Sequence, residues 1–203
     1  MKSKAKFIYL ISPNKIYPNF YKDLKKILGT KKIQFFQLRL KKISKNKLIN
    51  ISKKVKRICK TYNVKFIIND DPMVAKSVDA DGCHLGQKDM NIIDARKLLK
   101  NKIIGVTCNN SIKKAKEALK NNADYIALGA FNLSKTKIVK HLATIKDLKK
   151  IRKLSKKPII AIGGINQKNY KKLLLNKADF LAISSFIWKN KNLKPLEAIK
   201  KLQ

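Results

Sequence analysis

Six polar clusters that are not simply lysine fall just past short apolar runs: Gln37-Leu38-Arg39-Leu40-Lys41, Asn69-Asp70, Gln87-Lys88-Asp89, Thr107, Thr136-Lys137 and Gly163-Gly164. Gln37, Arg39 and Lys41 alternate, so on extended backbone their side chains leave the chain on one side. An Arg fork beside a Lys point charge suits a diphosphate. A neutral Gln, with one donor and one acceptor end, suits the edge of a heterocycle. Asp70 and Asp89 follow adjacent apolar runs. Two carboxylates from neighbouring strand ends can ligate Mg2+ while diphosphate oxygens and water complete an octahedron. Both also have a plainer use open to them, capping the helices that follow. Asp71, which precedes Pro72, is expected to face solvent.

Gly163-Gly164 permits a tight turn whose N–H groups can approach a phosphate, and Ser184-Ser185 ends the next apolar run. The longest connection without helical spacing, residues 130–144, carries Ser134, Lys135, Thr136, Lys137 and Lys140, a composition suited to a lid over bound phosphate. His84 and His141 are the only histidines. His84 reads as a hydrogen-bonded core residue rather than a general base. Neither histidine has a partner at metal-ligand spacing, so zinc is not expected.

For these clusters to meet, the apolar runs must end at one place. Runs at 6–11, 33–38, 65–68, 82–85, 102–106, 125–128, 158–162 and 180–183 are short and several are β-branched or aromatic throughout, as in strands buried on both faces. Between them lie helical spacings, such as Leu48, Ile51, Val55 and Ile58, or Leu148, Ile151 and Leu154. Ser44, Ser111 and Asn166 stand where N-caps belong. Alternating strands and helices predict an α/β fold, a single-domain (βα)8 TIM barrel over residues 1–203, which would bring all six clusters to one rim. An open doubly wound sheet is the alternative, but no Gly-rich dinucleotide fingerprint follows the first strand. In a closed barrel the glycines after strand seven and the serines after strand eight form a phosphate pocket.

The 49 basic residues against 12 acidic ones give a formal charge of +37. Only Arg39, Arg57, Arg96 and Arg152 are arginine, the residue that bidentate nucleic-acid contacts favour. Lysine is spread over nearly every helical stretch. That pattern reads as a drift towards Lys, Asn and Ile, with nucleic acid bound only non-specifically and anionic substrates attracted in a salt-dependent way. Cys59, Cys83 and Cys108 are odd in number and scattered, as in reduced thiols of a cytoplasmic protein. No apolar stretch is long enough to span a membrane, and the apolar run after the basic N-terminus is too short for a signal sequence. A homo-oligomer stays open.

From about Ile33 to Ile187 the chain resembles the thiamine-phosphate synthase family. Gln37–Lys41 is similar to its Q-L-R-x-K, Ile68-Asn69-Asp70 to its I-N-D, and residues 81–89 to its D-G-x-H-L-G-Q-x-D. Ile104-Gly105-Val106-Thr107 resembles I-G-V-[ST], and Ala161-Ile162-Gly163-Gly164-Ile165 resembles A-I-G-G-I. The resemblance implies a transferase for small phosphorylated substrates that joins a pyrimidine diphosphate to a thiazole phosphate. Gln37 would hydrogen-bond the aminopyrimidine, and Arg39, Lys41, Asn69 and Lys137 would hold the diphosphate. Asp70 and Asp89 would ligate Mg2+, and Thr107 would lie near the reacting carbon. Ser134 and Thr136 would flank the thiazole phosphate, with Gly164, Ser184 and Ser185 closing its pocket. Lys137, Thr107 and Arg39 would carry the catalysis. The family's G-x-x-F-P-T-x-T-K loop appears here as residues 129–137, with Asn132-Leu133-Ser134 where the pattern has Phe-Pro-Thr. Two other readings compete: a thiazole tautomerase of the same superfamily, which needs no diphosphate or metal, and a non-catalytic basic barrel that binds nucleic acid.

Overall fold

The computed structural model describes residues 6–132 and 142–202. Eight parallel strands close into a barrel in sequence order: β1 (Ile8–Ile11), β2 (Ile33–Leu38), β3 (Lys65–Asn69), β4 (Gly82–Leu85), β5 (Ile103–Asn109), β6 (Tyr125–Gly129), β7 (Ile159–Ile162) and β8 (Phe180–Ile183). Closure comes from the β1–β8 ladder, which pairs Ile8 with Leu181, Tyr9 with Ala182 and Leu10 with Ile183. The expected strands are all present, shifted by a residue or a few at their ends.

Helices α1 (Phe20–Leu28), α2 (Lys45–Thr61), α3 (Pro72–Ser77), α4 (Ile92–Leu99), α5 (Ile112–Lys120), α6 (Ile145–Leu154) and α7 (Tyr170–Leu175) occupy the crossovers. Two short helices, α8 (Ser185–Trp188) and α9 (Pro195–Lys200), follow β8. Period-two alternation divides the apolar side chains between two cores. One lies between strands and helices and includes Leu10, Leu24, Phe36, Ile68, Leu148 and Leu181. The other fills the barrel: Tyr9, Ile11, Ile67, Tyr125, Ala127, Ile160 and Ala182, with Phe35 and Phe180 at its margin. Gly105 makes room in that interior, since a Cβ there would lie 1.8 Å from the Tyr125 ring.

Ser44 and Ser111 cap α2 and α5 as expected, accepting the N–H groups of Lys47 and Lys114. Asn166 does not cap α7. Its side chain accepts the Lys168 N–H, forming an Asx turn one step earlier, and Asn169 occupies the cap position.

At the rim where strands begin, one device recurs. Asp81, Asp124 and Asp179 stand immediately before β4, β6 and β8. Their carboxylates accept the N–H of Phe66 at 2.8 Å, Ile104 at 2.8 Å and Ile159 at 2.7 Å. Each aspartate's own N–H returns a bond to the same residue's carbonyl. A cation completes each clamp: Lys65, Arg96 and Arg152. Arg96 also donates to the carbonyls of Lys100, Lys102 and Asn122, each at 2.7 Å. A lysine ammonium cannot span that set. Arg96→Lys is therefore expected to lower stability by ~1–3 kcal/mol in denaturant melts. Arg57→Lys, on an exposed face with no side-chain hydrogen bond among the described residues, should change it by less than ~0.5 kcal/mol. Equal losses in the two variants would remove the guanidinium fork from the clamp.

Candidate active site

The opposite rim gathers the polar clusters. β2 ends in Gln37 and Leu38, and the chain leaves through Arg39 and Lys41. The loop after β1 props this segment. The Arg39 N–H donates to Ser12 Oγ at 2.8 Å, Arg39 Nη1 to Asn14 Oδ1 at 3.0 Å, and the Lys41 N–H to the Asn14 carbonyl at 3.3 Å. One arm of the guanidinium is thus anchored, with its charge near enough to Asp70 to act on it.

Asp70 sits just past β3 with φ 67°, left-handed backbone that Asp tolerates better than most residues. Its N–H donates to the His84 carbonyl at 2.8 Å, tying the end of β3 to β4. Asp71, not Asp70, caps α3 by accepting the Val74 N–H at 2.9 Å. Asn91, not Asp89, caps α4. Both carboxylates are therefore released from helix capping. Asp89 accepts the Gly86 N–H at 2.6 Å and adjoins Asp70. Desolvation at the barrel mouth, and then the neighbouring Asp89 carboxylate, push the Asp70 pKa up from 3.8 to about 6, against the opposing pull of Arg39 and Lys41. Two adjoining carboxylates beside two cations make a donor set that a divalent cation would relax. Among the described residues no third His, Cys, Asp or Glu joins them. Two protein carboxylates fit a hard ion that keeps water and substrate oxygens, as Mg2+ does.

Below this rim a buried polar chain crosses the barrel. Gln37 Nε2 donates to the Tyr9 hydroxyl at 3.0 Å, and the Tyr9 and Tyr125 hydroxyls are 2.8 Å apart. The Tyr125 hydroxyl is 2.9 Å from His84 Nδ1, and His84 Nε2 is 2.7 Å from Thr107 Oγ1. His84 is the hydrogen-bonded core residue expected of it: desolvation lowers its pKa to about 4, so it is neutral at ordinary pH. A register shift in β5 between Thr107 and Asn109 keeps Thr107 aimed inward while the strand ends.

Across the mouth, Gly163 and Gly164 adopt φ of 101° and 62°. A Cβ at Gly163 would meet Ala130 Cβ at 2.3 Å, so the turn needs glycine there. The N–H groups of Gly164 and Ser185 take no acceptor among the described residues. Ser184 Oγ donates to the Ser12 carbonyl at 3.1 Å, a tie between the ends of β8 and β1. Asn69 ends β3, paired in register with His84. The fold thus brings Gln37, Arg39, Lys41, Asn69, Asp70, Asp89, Thr107, Gly164, Ser184 and Ser185 to one end of the barrel. Ser134, Thr136, Lys137 and His141 lie outside the described residues. Sequence reasoning missed Tyr9, Tyr125, Ser12 and Asn14. The lone tyrosines in the aliphatic runs of β1 and β6 were the available signal for the first two.

A parallel barrel whose polar groups for anions and a cation share the C-terminal rim is the architecture of an enzyme acting on phosphorylated small molecules. Residues 8–187 match the family model described as thiamine monophosphate synthase. The chain is 64% identical over its whole length to a thiamine-phosphate synthase of Pelagibacter ubique, covering 98% of that protein. It is 36% identical to one from Clostridium acetobutylicum, over 92% of this chain and 89% of the other. A thiamine phosphate pyrophosphorylase from Pyrococcus furiosus superposes with a TM-score of 0.85 at 28% identity, over 97% of this chain and 93% of that one. The chain belongs to the thiamine monophosphate synthase family, and it is a transferase that forms thiamine phosphate.

The raised Asp70 pKa fixes the sign of a pH effect. Between about pH 4 and 6 the metal-free folded protein keeps a proton that the unfolded chain has released, so this group's contribution to stability falls as pH rises through that window. A divalent cation held by the carboxylates must displace that proton and reverses the trend. Mg2+ is expected to raise Tm more at pH 8 than at pH 5. Asp89→Asn should move the Asp70 midpoint down towards its ordinary value in a carboxyl 13C NMR titration. An unmoved midpoint would separate the two carboxylates.

Proposed function

We propose that the rim binds a hydroxymethylpyrimidine diphosphate and a thiazole phosphate, or its carboxylate, and couples them by a dissociative substitution assisted by Mg2+ at Asp70 and Asp89. What supports this reading is the pair of uncapped, adjoining carboxylates with Arg39 and Lys41 beside them. A thiazole isomerisation would have no use for that pair. Bound there, Mg2+ would supply positive charge against the diphosphate.

The remaining work falls to the protein. Arg39 and Lys41 hold the diphosphate oxygens as the carbon–oxygen bond breaks and its electron pair leaves with the diphosphate. Gln37 holds the edge of the pyrimidine, whose methylene carbon becomes cationic. The thiazole nitrogen donates its lone pair to that carbon, forming the new carbon–nitrogen bond. No side chain acts as nucleophile or base, so the rate enhancement is positioning and charge stabilisation. Asn69 and Thr107 border the diphosphate. The N–H groups of Gly164 and Ser185, without an acceptor among the described residues, suit the thiazole phosphate, with Ser184 at the same rim. The family resemblance alone assigns Ser134 and Thr136 to that phosphate and Lys137 to the diphosphate. Among the described residues no helix is long and apolar enough to cross a membrane, and the reading includes a cytoplasmic location. Polyanions are held only through net charge, in a salt-dependent way.

The test is product formation from both substrates with and without Mg2+. Mg-dependent thiamine phosphate with one diphosphate released per turnover is expected, and metal-independent turnover would remove Asp70 and Asp89 from the reaction. Lys137→Ala should lower kcat/KM by roughly ten- to a hundredfold, the loss of one charge-assisted hydrogen bond. An unchanged kcat/KM would take Lys137 out of the site.

A further inference from the structure

The chain of bonds from Gln37 to Thr107 has a direction. Gln37 Nε2 is a donor only, so Tyr9 accepts from it. The Tyr9 hydroxyl is buried, and Tyr125 is the remaining partner for its single proton. Tyr125 accepts that proton's bond and has one of its own, which points to His84 Nδ1. A neutral imidazole that accepts at Nδ1 carries its proton on Nε2 and donates to Thr107 Oγ1. The Thr107 hydroxyl proton is then left for an acceptor outside the chain. At the other end Gln37 Oε1 takes no partner among the described residues.

We propose that Gln37, Tyr9, Tyr125, His84 and Thr107 form a hydrogen-bond chain of one polarity across the barrel, which presents a carbonyl acceptor at Gln37 and a hydroxyl donor at Thr107. Tyr9, Tyr125 and His84 are positioning residues that act through the two ends. With Gln37, Tyr9, Tyr125 and His84 buried and Thr107 half-buried at the mouth, reversing one bond obliges the others to reverse or leaves a buried polar group unpaired. Burial also keeps the links neutral: it raises the pKa of both tyrosines and lowers that of His84. The ends match two ligand chemistries. An acceptor at Gln37 selects an amino substituent on a heterocycle over a carbonyl one, and a donor at Thr107 suits an anionic phosphate oxygen. This assignment of ligand groups rests on the proposed coupling reaction. The polarity does not.

The polarity is tested first without substrate or metal, by 15N NMR of the imidazole in a His141→Gln background, where His84 is the single histidine. A bare Nδ1 with a proton fixed on Nε2 from pH 6 to 8 is expected. A proton on Nδ1, or an exchanging mixture of tautomers, would overturn the proposal. Gln37→Glu replaces the donor at one end with an acceptor-only carboxylate, so Tyr9 must turn to donate to it and Nδ1 of His84, three side chains along, must gain a proton. An Nδ1 that stays bare would show that the links are not coupled. Tyr125→Phe keeps the ring and removes the middle link. It should raise KM for the pyrimidine diphosphate about tenfold, the loss of one oriented hydrogen bond, and leave KM for the thiazole phosphate unchanged. A parallel rise in both would mark a general loosening of the barrel and overturn the positioning role. If the coupling reaction itself is absent, the imidazole spectra still decide the polarity.

Discussion

Closure of a parallel sheet is the constraint on which the rest of this molecule depends. Once β1 pairs with β8 in the direction of all the other strands, every strand begins at one rim and ends at the other. Polar residues before a strand and after a strand then acquire opposite meanings, whatever their separation in the chain. Asp81, Asp124 and Asp179 come before strands and clamp neighbouring strand starts. Asp70 and Asp89 come after strands and, among the described residues, have neither a helix to cap nor a cationic clamp. The same side chain serves stability at one end and, in the proposed reaction, faces ligand at the other.

Three of the four arginines obey the same division. In a chain where lysine supplies almost all positive charge, Arg96 and Arg152 sit at the strand-start rim, each gathering several carbonyls and one aspartate. Arg39 sits at the other rim, with one arm on Asn14 and the rest of its fork without a partner among the described residues. A lysine ammonium can replace a diffuse surface charge but cannot bridge acceptors fixed in different directions. The first two-strand unit illustrates the limit of the device: Lys32 stands before β2 where the other units have aspartate, and its Nζ instead donates to the Leu202 carbonyl at 2.8 Å. There the C-terminal segment, rather than a strand start, receives the bond.

The barrel was legible because eight runs of strand length alternate with helical spacings, and closure follows from their regularity. The rim was legible because its residues follow those runs directly. Local capping was less so: whether Asp70 or Asp71 caps α3 depends on a left-handed turn at Asp70, which side-chain type alone does not specify. Asn166 illustrates the same point, since an Asx turn competes with a cap for one carbonyl oxygen. The tyrosine chain was hidden for a different reason. Tyr9 and Tyr125 lie 116 positions apart and read as aromatic filling in apolar strands. Only the interior face of a closed barrel, with Gly105 leaving space for the Tyr125 ring, sets their hydroxyls together.

This neutral interior also bears on the chemistry at the rim. The proposed coupling, which separates a diphosphate from a methylene cation, needs charge held where it develops, and no proton delivered or removed. A histidine at the mouth with an ordinary pKa would offer a competing positive charge and an adventitious acid. Buried between Tyr125 and Thr107, His84 is kept uncharged and gives its one proton to a fixed bond. In the proposed reaction, positive charge at the described part of the mouth then comes from Arg39, Lys41 and a cation at the carboxylates rather than from His84, above a floor of dipoles. Dipoles fixed by packing need no reorganisation when the bond breaks, which is the form of stabilisation that a barrel with a solid core is built to give.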